Sequence, residues 1–185
     1  MTRIIAGTAR GRRLQVPPGG GTRPTADRAR EGLFSSLLSL QDVDGARVLD
    51  LFAGSGALGL EALSRGAASA TLVEDDPAAV RVLRANVDAV GLPGAVVVDD
   101  RVEHHLSRPV DAAYDIALLD PPYELDVVPV LEALRPWLAE DAVVAVERRT
   151  RGQELAWPQD YEAVRSRRYG EATLWYGVPL LASRS

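Results

Sequence analysis

The sequence predicts an α/β fold with a mostly parallel sheet of seven strands, helices on both faces of the sheet and a short N-terminal β-hairpin. Two observations lead to this prediction. From residue 46 onward, apolar β segments alternate with amphipathic helical segments, which is the order found in repeated strand–helix–strand units. The β segments are apolar at consecutive positions, as strands covered on both faces of a parallel sheet are. A chain of 185 residues is long enough for one such domain.

The first part of the chain is set apart from the predicted sheet. Residues 3–16 read as two short strands that turn around Gly11, and residues 17–24, with the sequence PPGGGTRP, read as a linker. Apolar residues at helical spacing predict a first helix over residues 27–40. We therefore divide the chain into a basic hairpin arm with its linker, residues 1–24, and a main domain, residues 25–185.

The strands and helices of the main domain follow one another without a second core. Strands are predicted at residues 46–52, 69–75, 94–100, 114–120 and 141–149, and helices at residues 57–66, 77–91, 101–106 and 127–138. Pro77 and Gly91 mark the two ends of the longest of these helices. The tail, residues 161–181, offers two β segments that turn near Gly170, and we expect them to pair antiparallel at one end of the sheet.

The basic residues are concentrated near the N-terminus, and all 21 of them are arginine. Residues 1–30 hold seven arginines against one acid, Asp27, which gives this segment a net charge of +6 and leaves −11 on the remainder of a chain whose total is −5. A basic segment on an acidic body predicts a polyanionic partner, and we favour nucleic acid. The predicted contacts are Arg10, Arg12, Arg13 and Arg23.

The composition excludes several classes of function. Without cysteine there are no disulfides, thiolate nucleophiles or cysteine-bound metals. The sequence lacks an apolar run of about 18 residues and an apolar signal-peptide core, so we expect no membrane span and a cytoplasmic protein. His104 and His105 are adjacent on a predicted helix, where they diverge, so we expect solvated side chains rather than a zinc pair. We expect no metal, and a monomer.

A glycine loop follows the first strand of the main domain. The segment VLDLFAGSGALGLEAL, residues 48–63, has glycines in the spacing G-x-G-x-x-G, and Glu74 lies 20 residues after Gly54 at the end of the next strand. Glycine permits a tight turn and a close approach of the ligand, and an acid at the second strand accepts hydrogen bonds from ribose hydroxyls. The predicted cofactor contacts of this region are Gly54, Ser55, Gly56, Glu74 and Asp75.

The position of Asp50 decides between two kinds of cofactor. It lies inside the first strand, four residues before Gly54, close to where the pyrophosphate of a dinucleotide would lie. A carboxylate there disfavours phosphates and suits a ligand with ammonium or sulfonium charge. S-adenosylmethionine has both charges and no phosphate, so we predict it in preference to NAD. VLDLFAGSG and LVEDD look like the first two motifs of class I S-adenosylmethionine-dependent methyltransferases, which implies their Rossmann-like fold.

The adenine end of the cofactor should lie beside the end of the third strand. Asp99 and Asp100 end this strand, and Arg101 and Val102 follow it. One of the two acids, or the backbone of Arg101 and Val102, should border the adenine. The sequence leaves the choice open, with Asp100 and Arg101 as the predicted contacts.

The segment Asp120–Pro121–Pro122–Tyr123 ends the fourth strand, at the sheet edge where open α/β folds bind ligands. An exocyclic amine on a base is a poor nucleophile because its lone pair is delocalised into the ring. The Asp120 carboxylate and the Pro121 carbonyl can accept its hydrogen bonds, and the prolines hold both acceptors in a geometry suited to attack. Tyr123 offers a ring on which a flipped base can stack. The four residues are similar to the signature of amino methyltransferases that act on nucleic acid bases or on glutamine.

Over nearly its full length the chain resembles the bacterial 16S ribosomal RNA (guanine-N2)-methyltransferase family. The resemblance is carried by RIIAGTARGRRLQVP (3–17), TRPTADRAREGLFSSL (22–37), DLFAGSGALGLEALSRGA (50–67), DPPY (120–123) and RRYGEATLWY (167–176). It implies methyl transfer from S-adenosylmethionine to one guanine of 16S rRNA in the small ribosomal subunit. It also implies that Thr25 and Arg28 lie in the segment that closes over the methionine end of the cofactor. The third motif departs from the family where Arg101–Val102 stand, which leaves the adenine contact open.

The residues alone leave other functions possible, because the amine clamp accepts any exocyclic NH2. A DNA adenine or protein-glutamine methyltransferase is one alternative, and a non-catalytic RNA-binding assembly factor that keeps the fold is another. Only about 60 residues follow Asp120 and they complete the sheet, so no separate domain for reading duplex DNA fits. This favours an RNA target recognised by shape and flipped from a loop.

Overall fold

The computed structural model describes residues 1–19 and 24–181. The strands in this part of the chain are β1 (Thr2–Arg3), β2 (Arg13–Leu14), β3 (Arg47–Leu51), β4 (Ser69–Glu74), β5 (Ala95–Asp99), β6 (Tyr114–Leu119), β7 (Leu138–Arg149), β8 (Tyr161–Tyr169) and β9 (Ala172–Pro179). The helices are α1 (Pro24–Leu38), α2 (Ala57–Ser64), α3 (Pro77–Val90), α4 (Val102–Leu106) and α5 (Val128–Leu134), the last continued by a 3-10 turn at Arg135–Trp137. None of these helices is long and apolar enough to cross a membrane.

Seven strands form one sheet in the order β5-β4-β3-β6-β7-β9-β8. The first five strands of this order run parallel, and β9 pairs antiparallel with both β7 and β8. The predicted fold class is therefore confirmed, including the antiparallel tail. The strand order reverses between β3 and β6, so a crevice opens there at the carboxyl ends of the strands, where folds of this kind bind ligands.

Two apolar layers cover the two faces of the sheet. On one face, Phe34 of α1 and Leu60 of α2 pack in the same cluster as Leu118 of β6. On the other face, Leu131 of α5 lies in a cluster with Val144 of β7. The residues of β6 and β7 that are covered on both sides, 116–119 and 142–146, are all apolar and buried, which explains why the sequence pattern shows runs rather than alternation.

The N-terminal segment is docked on the main domain rather than extended as a free hairpin. Its two strands are only two residues long, and the turn between them spans residues 4–12. Ile4 and Leu14 are buried. The fully buried carboxylate of Glu61 in α2 accepts hydrogen bonds from the backbone N–H groups of Ile5, at 2.8 Å, and Ala6, at 3.0 Å. The division into an arm and a main domain stays a prediction, and residues 20–23 of its linker lie outside the described residues.

The expectation that both histidines are solvated is wrong for one of them. His104 is exposed, but His105 is buried and stacks on Trp137 with their ring centroids 5.1 Å apart. Burial lowers the pKa of His105, which favours the neutral ring. Successive residues of α4 point in different directions. His104 points to solvent, whereas His105 points to the apolar cluster that contains Trp137.

Candidate active site

Acidic side chains from neighbouring strands meet at the carboxyl edge of the sheet, at the point where the strand order reverses. Asp50 lies in β3, Glu74 ends β4, Asp120 follows β6, and Glu147 lies near the end of β7. The structure thus gathers three of the acids singled out from the sequence, Asp50, Glu74 and Asp120, and adds Glu147. The charges of Asp120 and Glu74 both act on Asp50, and that of Asp120 acts on Glu147.

The glycine loop has the backbone geometry that its spacing predicts. Gly54 and Gly56 have φ angles of 56° and 83°, in the left-handed region that favours glycine. A Cβ at Gly59 would lie 2.6 Å from Leu72 Cδ2, so the third glycine allows α2 to pack closely on β4. Phe52, just before the loop, also has a positive φ of 62°. A non-glycine residue in this region stores strain, which proteins concentrate at functional sites.

Glu74 ties the glycine loop to the end of β4. Its Oε2 accepts a hydrogen bond from the Gly54 N–H at 2.8 Å, and its Oε1 accepts bonds from the N–H groups of Asp75 and Asp76 at 3.0 Å. Each carboxylate oxygen can accept more than one bond, so acceptor capacity remains for ribose hydroxyls. A pocket of about 170 Å³ opens beside this carboxylate.

The pocket brings together residues that the sequence placed around the nucleoside. Its lining includes Phe52, Glu74, Asp75, Arg101, Val102 and Pro122. Asp100 is turned elsewhere: its carboxylate contacts His104 Nδ1 at 2.8 Å and Arg108 at 2.7 Å. The hydrogen bond from His104 is the main reason why the pKa of Asp100 is lowered. The cofactor roles of Asp100 and Arg101 stay predictions, and the pocket favours Arg101.

Asp50 is buried with one carboxylate oxygen satisfied and one not. Its Oδ2 accepts a hydrogen bond from the Gly59 N–H at 2.9 Å, while its Oδ1 is buried without a hydrogen-bond partner in the described part of the chain. Burial raises the pKa of Asp50 to about 8. The carboxyl group therefore favours its neutral form at pH 7 unless a cation approaches. Asp50 repels phosphates only in its ionised form, and a positively charged ligand would stabilise that form.

A second recess lies between α1, the start of α2 and the ends of β6, β7 and β9. Its volume is about 150 Å³, and Asp120 and Glu147 are its two acidic lining residues. The Asp120 side chain is open to solvent, yet crowding by surrounding protein atoms raises its pKa, and Arg148 partly opposes this shift. Burial, followed by the charge of Asp120, raises the pKa of Glu147. The recess therefore favours ligands that donate hydrogen bonds to carboxylates.

Arg148 holds the loop that contains the two prolines. Its guanidinium donates hydrogen bonds to the carbonyl oxygens of Pro122 at 3.2 Å, Tyr123 at 2.7 Å and Leu125 at 3.0 Å. The prolines restrict the backbone and Arg148 fixes where the restricted segment lies. The loop behind Asp120 is thus held from β7 as well as by its own sequence.

The ring of Tyr123 already has a cation on one face. The Arg149 guanidinium lies 4.5 Å from its centroid, a cation–π distance. A cleft of about 660 Å³ opens next to the pair. The stacking role of Tyr123 stays a prediction. A base would have to use the other face of the ring or displace Arg149.

The structure describes only some of the residues assigned to RNA and to the methionine end of the cofactor. Arg10 and Arg13 are exposed. Arg12 is exposed too, but it donates hydrogen bonds to the carbonyl oxygens of Ala89 and Val90, at the C-terminal end of α3, at 3.1 and 2.9 Å. Arg28 is exposed on α1. The side chains of Arg23 and Thr25 lie outside the described residues, and all these roles stay predictions.

Sequence reasoning missed three residues of the site. Buried Asn86 of α3 donates a hydrogen bond to the Ser55 carbonyl at 2.8 Å and so locks the glycine loop. Glu147 could have been found, because it directly follows the apolar run of β7, as Asp120 follows that of β6. Arg148 and Asn86 carry no such signal, since their partners are backbone carbonyls distant in sequence. In the described part of the chain, no group of three potential metal ligands is present.

A mostly parallel sheet of seven strands with a glycine loop after β3, an acid at the end of β4 and Asp-Pro-Pro-Tyr after β6 defines the fold of a class I methyltransferase. The comparisons with known proteins agree. Residues 2–178 match the family model described as "Conserved hypothetical protein 95". The chain belongs to this family.

Several proteins with names are similar to this chain in sequence or in structure. Ribosomal RNA small subunit methyltransferase D of Escherichia coli K12 is 43% identical over 149 residues, which cover 78% of this chain and 73% of the relative. The Haemophilus influenzae protein of the same name is 33% identical over 174 residues, 91% of this chain and 89% of the relative. The solved structure of yhhF from Escherichia coli is 36% identical, with a TM-score of 0.85, and the match covers 97% of this chain and 98% of that one.

Proposed function

We propose that this protein transfers a methyl group from S-adenosylmethionine to the exocyclic N2 of a guanine in 16S ribosomal RNA of the small subunit. The names of its relatives support methylation of ribosomal RNA. The observation that carries the proposal is the position of Asp120, which directly follows β6 and lines the recess between α1, the start of α2 and the ends of the strands. The choice of guanine N2 rests on the family resemblance of the sequence.

The residues present fit S-adenosylmethionine. Glu74 would accept hydrogen bonds from the ribose, with Arg101 and Val102 beside the adenine. Asp50 has a buried oxygen without a partner among the described residues, and a cation nearby would favour its ionised form. Thr25 and Arg28 remain the residues proposed to close over the methionine end. When bound, this cofactor supplies an activated methyl group on a sulfonium, and it requires no metal.

The chain's own residues would prepare the amine for attack. The Asp120 carboxylate and the Pro121 carbonyl would each accept one N–H of the target NH2, which turns the nitrogen lone pair towards the methyl group. The amine nitrogen held in this way would accept the methyl group that the bound cofactor supplies, with the sulfide as the leaving group. The nitrogen must next lose one proton. Asp120 is placed to receive it, and its raised pKa makes it a better base than an ordinary aspartate.

Arginines of the N-terminal segment and linker, together with Tyr123, would hold the RNA. Arg10, Arg12 and Arg13 are exposed at the N-terminal segment, and we propose that they contact phosphates, together with Arg23. Tyr123 would stack on the flipped base, with Arg149 on its other side. We place the reaction in the cytoplasm on the small subunit, with the protein acting as a monomer.

Mapping of the methylated nucleotide tests this proposal. Small subunits from cells lacking the protein would be incubated with the purified enzyme and S-adenosylmethionine carrying a labelled methyl group. Nuclease digestion and chromatography would then identify the modified nucleoside, with Asp120→Ala as the inactive control and duplex DNA and ribosomal proteins as competing acceptors. We expect N2-methylguanine in 16S rRNA. Label in N6-methyladenine of DNA or in glutamine would reassign the substrate, and no label in any acceptor would favour a non-catalytic role.

A further inference from the structure

Glu147 is an acidic neighbour of Asp120 on the adjacent strand, β7. In the parallel pairing of β6 with β7, Leu119 lies opposite Val146, so the next residues, Asp120 and Glu147, continue the same register. Side chains at paired positions of neighbouring strands point to the same face. Both side chains accordingly line the recess of about 150 Å³ beneath α1.

The Glu147 carboxylate is not used to hold the fold together. Within residues 1–19 and 24–181, no hydrogen bond or ion pair to its side chain is present. Arg30 lines the same recess, but its guanidinium is directed to the Arg3 carbonyl at 2.6 Å, to Asp27 at 3.2 Å and to Glu61 at 3.7 Å. A half-buried carboxylate without a structural partner, next to the proposed amine clamp, is a group that a ligand can satisfy.

Two adjacent acceptors match the edge of one purine better than the other. Guanine presents two neighbouring donors on its Watson–Crick edge, N1–H and the N2 amine. Adenine presents one donor, the N6 amine, next to N1, which is an acceptor. Two carboxylates side by side would each receive a hydrogen bond from guanine, whereas adenine would place its N1 lone pair against the second carboxylate. Burial, followed by the charge of Asp120, raises the pKa of Glu147 to about 8, and N–H donors from guanine favour the ionised carboxylate because hydrogen bonds donated to a carboxylate stabilise its charge.

We infer that Glu147 determines base specificity by accepting the N1–H of the target guanine while Asp120 holds the N2 amine. This inference rests on the proposed function, and it assigns to the chain the choice between bases that the Asp-Pro-Pro-Tyr clamp alone cannot make. Sites built around a hydrogen bond to a substrate N–H discriminate strongly against analogues that lack it, because the polar group of the site is then left unpaired.

The test compares two target bases in otherwise identical RNA. One carries guanine at the methylated position and the other carries 2-aminopurine, which keeps the amine at C2 but has an acceptor at N1. We expect the wild-type protein to use guanine about 10- to 100-fold better, the range for losing a hydrogen bond to a charged group. In Glu147→Gln the amide can donate to N1, so the preference should fall towards one. 2-Aminopurine also lacks O6, but that difference affects both proteins alike and cancels when their preferences are compared.

Three controls make the result specific. Glu162→Gln removes an exposed acid from β8 at the far edge of the sheet and should keep the wild-type preference. Asp120→Asn should slow transfer to both bases. Affinity for S-adenosylmethionine, measured by calorimetry, should be unchanged in Glu147→Gln. If that variant does not fold, Glu147→Ala provides the second comparison with the wild-type protein, and an unchanged preference for guanine over 2-aminopurine in Glu147→Ala would overturn the role of Glu147.

Each contrary outcome has a distinct meaning. Equal use of the two bases by the wild-type protein, or an unchanged preference in Glu147→Gln, overturns the role of Glu147 and leaves the proposed function standing. Loss of S-adenosylmethionine affinity with an unchanged preference also overturns it, since Glu147 would then serve the cofactor. If the wild-type protein methylates neither RNA while labelling another substrate, the proposed function itself is wrong, and the inference falls with it.

Discussion

Replacement of Arg148 tests whether the loop that carries the two prolines must be held from β7. Arg148→Met removes three hydrogen bonds, to the carbonyls of Pro122, Tyr123 and Leu125. Two of these bonds are solvent-exposed. Counting each bond at the low end of the usual range, we expect the loop position to be destabilised by about 1–3 kcal/mol in total. Because a small displacement of an acceptor slows an aligned reaction strongly, kcat/KM should fall by roughly 10- to 100-fold.

The same substitution should change the pH dependence. The positive charge of Arg148 lowers the pKa of Asp120, against the larger raising effect of burial. Asp120 accepts the amine in its ionised form, so activity is lost as the pH falls through the pKa of this carboxyl group. Without Arg148 that pKa rises further, and the acidic limb of the kcat/KM profile should move to higher pH.

Arg148→Lys separates the two effects, since lysine keeps the charge but its ammonium cannot bridge three carbonyls in the geometry of a guanidinium. It should lose rate while keeping nearly the wild-type pH profile. The assay is labelled-methyl transfer to small subunits across a pH series, with S-adenosylmethionine affinity measured separately and expected to be unchanged. Wild-type kcat/KM and an unshifted profile in Arg148→Met would refute this reasoning.

Three further substitutions address the cofactor, the docking of the N-terminal segment and the RNA. Glu74→Ala should weaken S-adenosylmethionine binding by about 1.5–3 kcal/mol in calorimetry, because it removes charged acceptors of the ribose. Glu61→Gln should lower the free energy of unfolding by about 1–3 kcal/mol in chemical denaturation, because Arg30 keeps Asp27 but loses its second anionic partner and the amide accepts fewer hydrogen bonds than the carboxylate. Arg10→Gln with Arg13→Gln should flatten the dependence of RNA affinity on salt, by roughly 0.7 in the log–log slope for each phosphate that is no longer neutralised.

These three tests have matched controls and contrary outcomes. For RNA binding the control is the pair Arg81→Gln and Arg84→Gln, which removes the same charge from an exposed part of α3, and identical slopes in both pairs would remove the N-terminal arginines from the interface. Arg12 is left intact, because it also holds the end of α3. Unchanged cofactor affinity in Glu74→Ala, or tight binding of NAD, would contradict the cofactor assignment. Wild-type stability in Glu61→Gln would show that its network is not needed for docking.

The order of the strands and helices could be predicted from the sequence, and so could the glycine loop and the acids at the strand ends. All of these depend on local sequence. Apolar runs define β6 and β7, and glycine spacing defines the loop around Gly54. Asp120 and Glu74 follow their strands directly, so knowledge of the strand ends was enough to place both at one edge of the sheet. Parallel strands bring their carboxyl ends together whatever the intervening loops contain.

What could not be predicted depends on contacts between distant segments. The three carbonyl bonds of Arg148 link positions 23–26 residues apart, and Glu61 binds the backbone 55–56 residues before it. Neither set of contacts produces a periodic pattern in the sequence from which it could be predicted. The arginines of the N-terminal segment dominate its composition and predict a basic arm, but they do not show where the segment lies; buried Ile4 and Leu14 decide that.

The central claim is that Asp120 acts on the target amine and not on the cofactor. Its most direct test is single-turnover transfer of a labelled methyl group to 16S rRNA by the wild-type protein and by Asp120→Ala, with S-adenosylmethionine affinity measured on the same preparations. We predict that the rate falls by at least about 100-fold while the affinity stays within about two-fold, the pattern of an interaction made at the reacting centre. A near-wild-type rate in Asp120→Ala, with N2-methylguanine still formed, would contradict the account.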